Sequence, residues 1–205
     1  MDQIELINKT EKTSIHIHWT FNREASKIPL PNNKHLFLGS LASANLKQDL
    51  LDKNVSDVIC CIKPYAYNII NLYTDHVAWV YDFFFSLLPY DDFFKYYLVP
   101  IQDDGCKDIY PYFDSCADYI NNVLENNGNA LVHCYHGRSR SVSIVLAYLI
   151  KYHNMNVNDA LKHVQIYRDI ANPNEGYVEQ LHNFYNEIQD NKNKNKDQDV
   201  NKIEK

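Results

Sequence analysis

The stretch from Asn129 to His153 limits the possible folds of this chain more than any other. Residues 129–132 form a short apolar run without turn signals, which predicts a buried strand. Residues 140–153 predict a helix that is apolar on most sides, as in a helix covered by neighbouring elements. A buried strand that leads through a short loop into a buried helix indicates a sheet with helices packed over it.

The rest of the chain alternates between these two kinds of pattern. Strands are predicted near residues 35–38, 57–62, 96–101 and 130–133, and helices near residues 42–53, 111–126, 140–153, 157–170 and 175–189. This order predicts an α/β fold with a central, mainly parallel sheet flanked by helices. The loop between the last strand and the buried helix would leave the carboxyl end of a central strand, where open α/β sheets bind their ligands.

That loop carries the groups needed to bind a phosphate. It begins at Cys134 and runs into a helix N-terminus, which presents backbone N–H groups without intrahelical partners to an anion. Gly137 allows a tight turn, and the planar guanidinium of Arg140 can hold two phosphate oxygens. The predicted substrate-binding residues are Tyr135, His136, Gly137, Arg138, Ser139 and Arg140.

The same residues suggest covalent chemistry. The positive field of the loop should lower the pKa of Cys134, so that a thiolate could attack phosphorus; a small core cysteine is the alternative interpretation. Ser139 and Ser141 could support the loop or the departing thiolate. Phosphoryl transfer also needs an acid, and the candidates are Asp103 first and Asp104 second, although a solvated turn would have the same composition.

At several spaced positions the sequence resembles the dual-specificity protein phosphatases, within the cysteine-based tyrosine phosphatase superfamily. The matching segments include residues 36–40, 99–103, 132–141 and 172–174, and the similarity covers roughly residues 34–188. The resemblance implies a tyrosine-phosphatase-like fold. It also implies an enzyme that uses neither metal nor other cofactor and hydrolyses phosphotyrosine and phosphoserine or phosphothreonine in proteins through a phosphocysteine.

The resemblance assigns roles position by position. Cys134 would be the nucleophile and Arg140 the phosphate clamp, and Asp103, favoured over Asp104, would be the general acid and then the base. Ser141 would help the phosphocysteine break down. The two supporting residues are His133, which would hold the cysteine backbone by hydrogen bonding, and Asn174, which would brace the loop.

Some features leave other interpretations open. His136 is similar to a residue of RNA 5′-triphosphatases, and Arg138 to a basic residue of some phosphoinositide phosphatases, so these substrates stay alternatives. A catalytically silent phosphate-binding module is the competing class of function. Cys60 or Cys61 could form a disulfide with an oxidised Cys134, or could simply pack in the core.

Composition excludes several broad classes. The net charge is −6, which argues against general binding to nucleic acids or membrane surfaces. No window approaches the ~20 apolar residues of a membrane span, and the termini show no signal peptide or lipid anchor. The five cysteines include no C-x2-C pair, so zinc is not expected. A reactive thiol suits a reducing compartment, which predicts a cytosolic, possibly nuclear, protein.

Three segments are predicted: an N-terminal extension at residues 1–33, the catalytic domain at 34–189, and a disordered polar tail at 190–205. The catalytic domain includes a long aromatic segment, residues 65–97. An added amphipathic helix packed on the domain would explain the aromatics. A surface that contacts another protein is the alternative.

Overall fold

A computed structural model describes residues 24–30, 34–63, 90, 92–103 and 108–203, with side chains described to residue 194. The strands are β1 (Ser26–Pro29), β2 (His35–Ser40), β3 (Val55–Cys60), β4 (Lys95–Leu98) and β5 (Asn129–Cys134). The helices are α1 (Leu41–Ala44), α2 (Lys47–Asp52), α3 (Tyr110–Glu125), α4 (Arg140–His153), α5 (Val157–Tyr167) and α6 (Glu175–Ile203).

The described strands form one sheet in the order β1-β2-β5-β3-β4. Strands β2, β5, β3 and β4 are parallel, and β1 is antiparallel to β2. Strand β5 therefore lies at the centre, so the loop after Cys134 leaves the middle of the carboxyl edge of the sheet. The predicted α/β fold, with a mainly parallel sheet and helices around it, is confirmed.

Alternation along the strands divides the core into two layers. On β5, Ala130 and Val132 pack in a large cluster with residues of α3, α4, α5 and α6, whereas Leu131 packs in a smaller one on the opposite face. The smaller cluster includes Ala44 of α1 and Leu50 of α2. Helices thus cover both faces, as apolar strands in a parallel sheet require.

Helix α4 is the most buried helix of the domain. Each residue from Arg140 to Ile150 is buried, because α4 contacts β2, β5, α3, α5 and α6. The helix ends where Asn154 adopts a left-handed conformation with φ of 53°, which asparagine tolerates better than most residues. This burial fixes the N-terminus of α4 beside the end of β5.

Several boundaries differ from the predicted ones. Strand β1 lies within the expected N-terminal extension, yet it pairs with β2 and so belongs to the sheet; its four residues are too few to be recognised by periodicity. The helix predicted over 42–53 is two short helices. The first ends at Asn45, whose side-chain amide donates to the Leu41 carbonyl and so satisfies a carbonyl of that turn.

The polar tail also differs from the expectation, because α6 continues to Ile203 where a disordered segment was predicted. Gln189 and Lys192 both donate to Asn154 Oδ1, at 3.3 Å and 2.8 Å, and so hold this part of α6 against the domain. Once a helix has been nucleated, each further residue adds a hydrogen bond. Amino-acid composition alone does not indicate that a packed helix can continue into a polar segment.

Most of the aromatic segment, including the proposed helix and contact surface, lies outside the described residues. At its described end, Phe94 is buried in the smaller core cluster, and the ring of Tyr97 contacts that of Tyr119 of α3 in a tilted arrangement with centroids 4.7 Å apart. Phe93 is 54% exposed, and Lys47 Nζ lies 3.2 Å from its ring centroid. Within the described part of the chain, no helix is long and apolar enough to cross a membrane.

Candidate active site

The candidate site is the loop that joins β5 to α4. Strand β5 ends at Cys134, which is paired in register with Ser40 at the end of β2. On the other side of β5, Cys60 of β3 is paired with His133. The loop thus begins where three parallel strands end, and it continues directly into the N-terminus of α4.

The backbone of the loop has its carbonyl groups turned outward. Each carbonyl from residue 135 to residue 139 accepts a hydrogen bond from outside the ring. The donors are Leu41 N to Tyr135 O at 3.2 Å, Arg168 Nη2 to His136 O at 3.1 Å, Arg168 Nε to Gly137 O at 2.6 Å, Asn172 N to Arg138 O at 2.8 Å and Ser143 N to Ser139 O at 2.9 Å. Because the N–H and C=O of a trans peptide point in opposite directions, the amides that follow face inward and form an anion site.

Gly137 is at the tightest point of this loop. Its φ is +66°, and a Cβ built there would lie 2.4 Å from both Gly39 O and Arg168 Nη2. A left-handed conformation and this crowding both exclude larger residues. The glycine predicted to permit the turn is therefore required by conformation and by space.

The sulfur of Cys134 lies inside the ring of amides. Gly137 N and Ser141 Oγ each donate to Sγ over 3.2 Å. Burial raises the pKa of Cys134, but the charge of Arg140 and hydrogen bonds from Ser141 and the Arg138 backbone outweigh it, so the pKa lies below the ordinary value. The pocket thus favours the thiolate, which is the nucleophilic form.

Arg140 lies beside the sulfur at the start of α4. The side chain is buried, and Nη1 donates to Ile101 O at 3.1 Å. Its Nε is 3.6 Å from Asp103 Oδ2 and has no hydrogen-bond acceptor among the described residues. A buried donor without an acceptor is costly, and a bound phosphate oxygen would supply one.

Asp103 is held at the mouth of the pocket. Its Oδ1 accepts hydrogen bonds from Ser139 Oγ and Asn174 Nδ2, both at 3.0 Å. The Asp103 side chain is 32% exposed, so it faces both the pocket and solvent. The fold therefore brings Asp103, Arg140 and Asn174 together from three separated segments. The alternative acid, Asp104, lies outside the described residues.

His133 lies behind Cys134 and is fully buried. The pKa of its ring is lowered to about 4, because burial and the charge of Arg140 outweigh the opposing hydrogen bond with the Cys134 backbone. Neither ring nitrogen has a hydrogen bond of standard geometry to another described residue. The predicted role of His133, to hold the Cys134 backbone by hydrogen bonding, stays a prediction.

The remaining loop residues divide into a floor and a rim. Gly137 and Ser139 are buried, whereas Tyr135, His136 and Arg138 are exposed. The rings of Tyr135 and His136 meet edge to face with centroids 4.8 Å apart. Ser139 Oγ donates to Asp103, so among these remaining loop residues the exposed side chains are those of the three rim residues.

Arg168 is part of this site, although no role was predicted for it. It follows α5 and is buried, with 3% of its surface exposed. Its guanidinium holds two loop carbonyls. In the sequence its evident charge partner is the neighbouring Asp169, and only the three-dimensional fold reveals that it reaches the loop.

Comparisons with known proteins agree with this arrangement. A family model described as "Dual specificity phosphatase, catalytic domain" matches residues 36–187. Dual specificity protein phosphatase 1B of Arabidopsis thaliana is 35% identical over 156 residues, 76% of this chain and 81% of that protein. Dual specificity protein phosphatase 1 of the same plant is 34% identical over 163 residues, 79% of this chain and 71% of that protein.

A solved structure extends the similarity to three dimensions. The human tyrosine phosphatase-like serine/threonine/tyrosine-interacting protein matches with a TM-score of 0.61 and 30% identity, covering 79% of this chain and 95% of that chain. The chain belongs to the dual specificity phosphatase family and is a cysteine-dependent protein phosphatase.

Proposed function

We propose that this phosphatase hydrolyses phosphotyrosine and phosphoserine or phosphothreonine in proteins through a phosphocysteine formed on Cys134. The observation that carries the proposal is the environment of the sulfur. Two donors, Gly137 N and Ser141 Oγ, lie 3.2 Å from Sγ, and the charge of Arg140 is beside it. The same inward-facing amides would bind the oxygens of a phosphoryl group.

In the first step the thiolate of Cys134 attacks phosphorus. An S–P bond forms while the P–O bond to the substrate oxygen breaks, and the amides and Arg140 bind the charge on the phosphoryl oxygens. Protonated Asp103 donates its proton to the leaving oxygen, so the product departs as a neutral phenol or alcohol. The 3.6 Å between Asp103 Oδ2 and Arg140 Nε supports this role, because the acid adjoins the clamp.

In the second step water attacks the phosphorus of the phosphocysteine. The carboxylate of Asp103 accepts the proton of the water, the S–P bond breaks, and inorganic phosphate leaves. Sulfur then departs as a thiolate, which the Ser141 hydroxyl stabilises from 3.2 Å. The enzyme returns to its initial protonation state, so the cycle consumes only water and phosphomonoester.

The exposed rim supports a substrate larger than phosphate. Tyr135, His136 and Arg138 are exposed residues of the loop, and they would contact the residues that flank a phosphorylated side chain. Relatives that carry the name of protein phosphatases support a phosphoprotein as that substrate. A reducing compartment, the cytosol or the nucleus, suits a nucleophile that must remain a thiolate.

A panel of substrates tests the proposal. We expect the purified chain, with a chelator present, to release phosphate from phosphotyrosine and phosphothreonine peptides. Turnover of a phosphoinositide or an RNA 5′-triphosphate, with none of the peptides, would overturn the substrate class. Binding of phosphopeptides without turnover of any substrate would indicate a catalytically silent module instead.

The acid assignment has its own matched pair of variants. Asp103→Ala should lower kcat by at least ~10²-fold, since general-acid assistance of the leaving group is lost. Asp104→Ala should have a much smaller effect and serves as the control. The reverse order of the two variants would transfer the acid role to Asp104.

A further inference from the structure

We propose that Arg168 is a positioning residue of the reaction, because it orients two of the backbone amides that face the nucleophilic sulfur, those of Gly137 and Arg138. The inference rests on the proposed role of Cys134. Arg168 touches neither the sulfur nor the expected position of phosphate. It acts through the loop backbone, from the side opposite to the pocket.

Arg168 holds the two peptide units that contain the N–H groups of Gly137 and Arg138. Arg168 Nη2 donates to His136 O at 3.1 Å, and the N–H of that peptide unit belongs to Gly137, which donates to Cys134 Sγ at 3.2 Å. Arg168 Nε donates to Gly137 O at 2.6 Å, and the N–H of that unit belongs to Arg138. The Arg138 backbone also forms a hydrogen bond that favours the thiolate. Because N–H and C=O oppose each other across a planar peptide, fixing the two carbonyls fixes the two amides.

Arg168 is itself held rigidly. Its backbone N donates to Val164 O at 2.9 Å, and its carbonyl accepts from Ala171 N at 3.0 Å. The guanidinium forms a third hydrogen bond besides those to the two loop carbonyls, because Nη1 donates to Ser26 Oγ of β1 at 3.2 Å. A planar fork with several donors suits this arrangement, whereas a lysine ammonium on a flexible stem could not reproduce the paired geometry.

The electrostatic surroundings of Arg168 also support a positioning role. Its hydrogen-bond acceptors in the described part of the chain are neutral oxygens of His136, Gly137 and Ser26. Burial lowers the pKa of Arg168, while the negative charges of Cys134 and Asp169 raise it. The charge that favours the Cys134 thiolate is that of Arg140. We therefore assign to Arg168 the orientation of the loop amides.

The test compares Arg168→Lys and Arg168→Met with wild type, all in the full chain. Ser26→Ala is the matched control, because the Ser26 hydroxyl accepts from the same guanidinium and is not one of the loop carbonyls. The pH midpoint of Cys134 alkylation by iodoacetamide is measured, with Cys134→Ser subtracted to remove labelling of other thiols. The kcat and KM for an aryl phosphate are measured on the same samples. Circular dichroism gives the folded fraction of each variant.

Both Arg168 variants should move the alkylation midpoint to higher pH and lower kcat/KM per folded molecule at least ~10-fold, as expected when donors aimed at the developing charge are misplaced. Ser26→Ala should keep the midpoint and stay within ~3-fold of wild type, because the loop carbonyls keep their partners. If Arg168→Met does not fold, Arg168→Lys decides.

A folded Arg168→Lys with the wild-type midpoint and wild-type kcat/KM would overturn the proposal. Failure of both Arg168 variants to fold, with Ser26→Ala folded, would overturn it too, since Arg168 would then be a residue of general stability. An inactive wild-type enzyme would instead refute the proposed function. The alkylation midpoints would still show whether Arg168 orients the loop amides.

Discussion

Cys134 and Cys60 are two thiols with the same burial and opposite chemistry. Each is 1% exposed, and they lie at the ends of the neighbouring parallel strands β5 and β3. The pKa of Cys60 is raised to about 12, because burial and the nearby Cys134 outweigh the lowering effects of the Ile62 backbone and of Arg140. The pKa of Cys134 is lowered instead, because Arg140, Ser141 and the Arg138 backbone overcome the same burial.

The difference shows that the donors around a thiol, rather than its exposure, determine its reactivity. Strand β5 continues into a loop of inward amides, whereas β3 continues into Cys61, whose N–H donates to His133 O at 2.8 Å and whose own pKa is well above normal. Thiols with raised pKa values are poor nucleophiles at neutral pH. This favours core packing for Cys60 and Cys61 over disulfide exchange with Cys134.

The largest expected effect comes from deleting each thiol in turn. Cys134→Ser should reduce kcat by at least ~10⁴-fold, since a serine hydroxyl at this site would not be ionised near neutrality. Cys60→Ala, the control, removes an equally buried sulfur and should leave kcat within ~3-fold of wild type. Steady-state hydrolysis of an aryl phosphate measures both. Comparable losses from the two variants would remove the distinction between the strands.

Alkylation tests the same contrast without mutating the site. The pKa of Cys60 and of Cys116 is about 12, so at pH 7 each is a thiolate in only ~10⁻⁵ of molecules. The pKa of Cys134 lies below 9.0, so its thiolate fraction at pH 7 exceeds ~10⁻². We therefore expect iodoacetamide to label Cys134 at least ~10³-fold faster than Cys60, by peptide mass spectrometry of the native protein. Labelling of both at similar rates would contradict the opposite pKa shifts.

A pair of glycine variants separates loop geometry from general stability. Gly137→Ala places a methyl group 2.4 Å from Gly39 O at a φ of +66°, so it should displace the amides and lower kcat/KM by ~10²-fold. Gly128→Ala is also crowded, with a Cβ 2.5 Å from Ser56 Oγ, but it lies at the other end of β5. That control should cost about 1–2 kcal/mol of unfolding free energy and spare the activity of the folded enzyme. Equal kinetic losses in both would mean that stability alone explains Gly137.

The smallest effect is expected at the hydroxyl that contacts the sulfur. Ser141→Ala removes a 3.2 Å donor to Cys134 Sγ, so kcat should fall ~10-fold as the thiolate becomes a poorer leaving group. The thiol pKa rises, and because the thiolate is the active form, the acid limb of kcat/KM should move to higher pH. Ser143→Ala is the control, since the Ser143 N–H already bonds to the Ser139 carbonyl that its hydroxyl contacts. A wild-type pH profile for Ser141→Ala would exclude this role.

Local sequence predicted the centre of the fold well. The strand near residues 130–133 and the helix at 140–153 were recognisable because a continuous apolar run and an all-round apolar helix indicate burial on their own. Asp103 was named from its segment, but its approach to Arg140 and Asn174 depends on contacts across more than 30 residues. The four-residue β1 and the continuation of α6 were missed, since pairing with β2 and propagation from a packed helix leave little trace in composition.

The sequence by itself determined the order of groups in the loop, because Cys134, Gly137, Arg140 and Ser141 are close along the chain and a strand-to-helix turn must bring them together. Only the tertiary structure decided which way the loop amides point. Apart from Ser143 of α4, the donors that set their direction come from the start of α1, from Arg168 after α5 and from the segment before α6, and they meet the loop carbonyls only after the sheet and helices have packed. Local spacing thus supplies the reactive groups, and long-range hydrogen bonds give them their orientation.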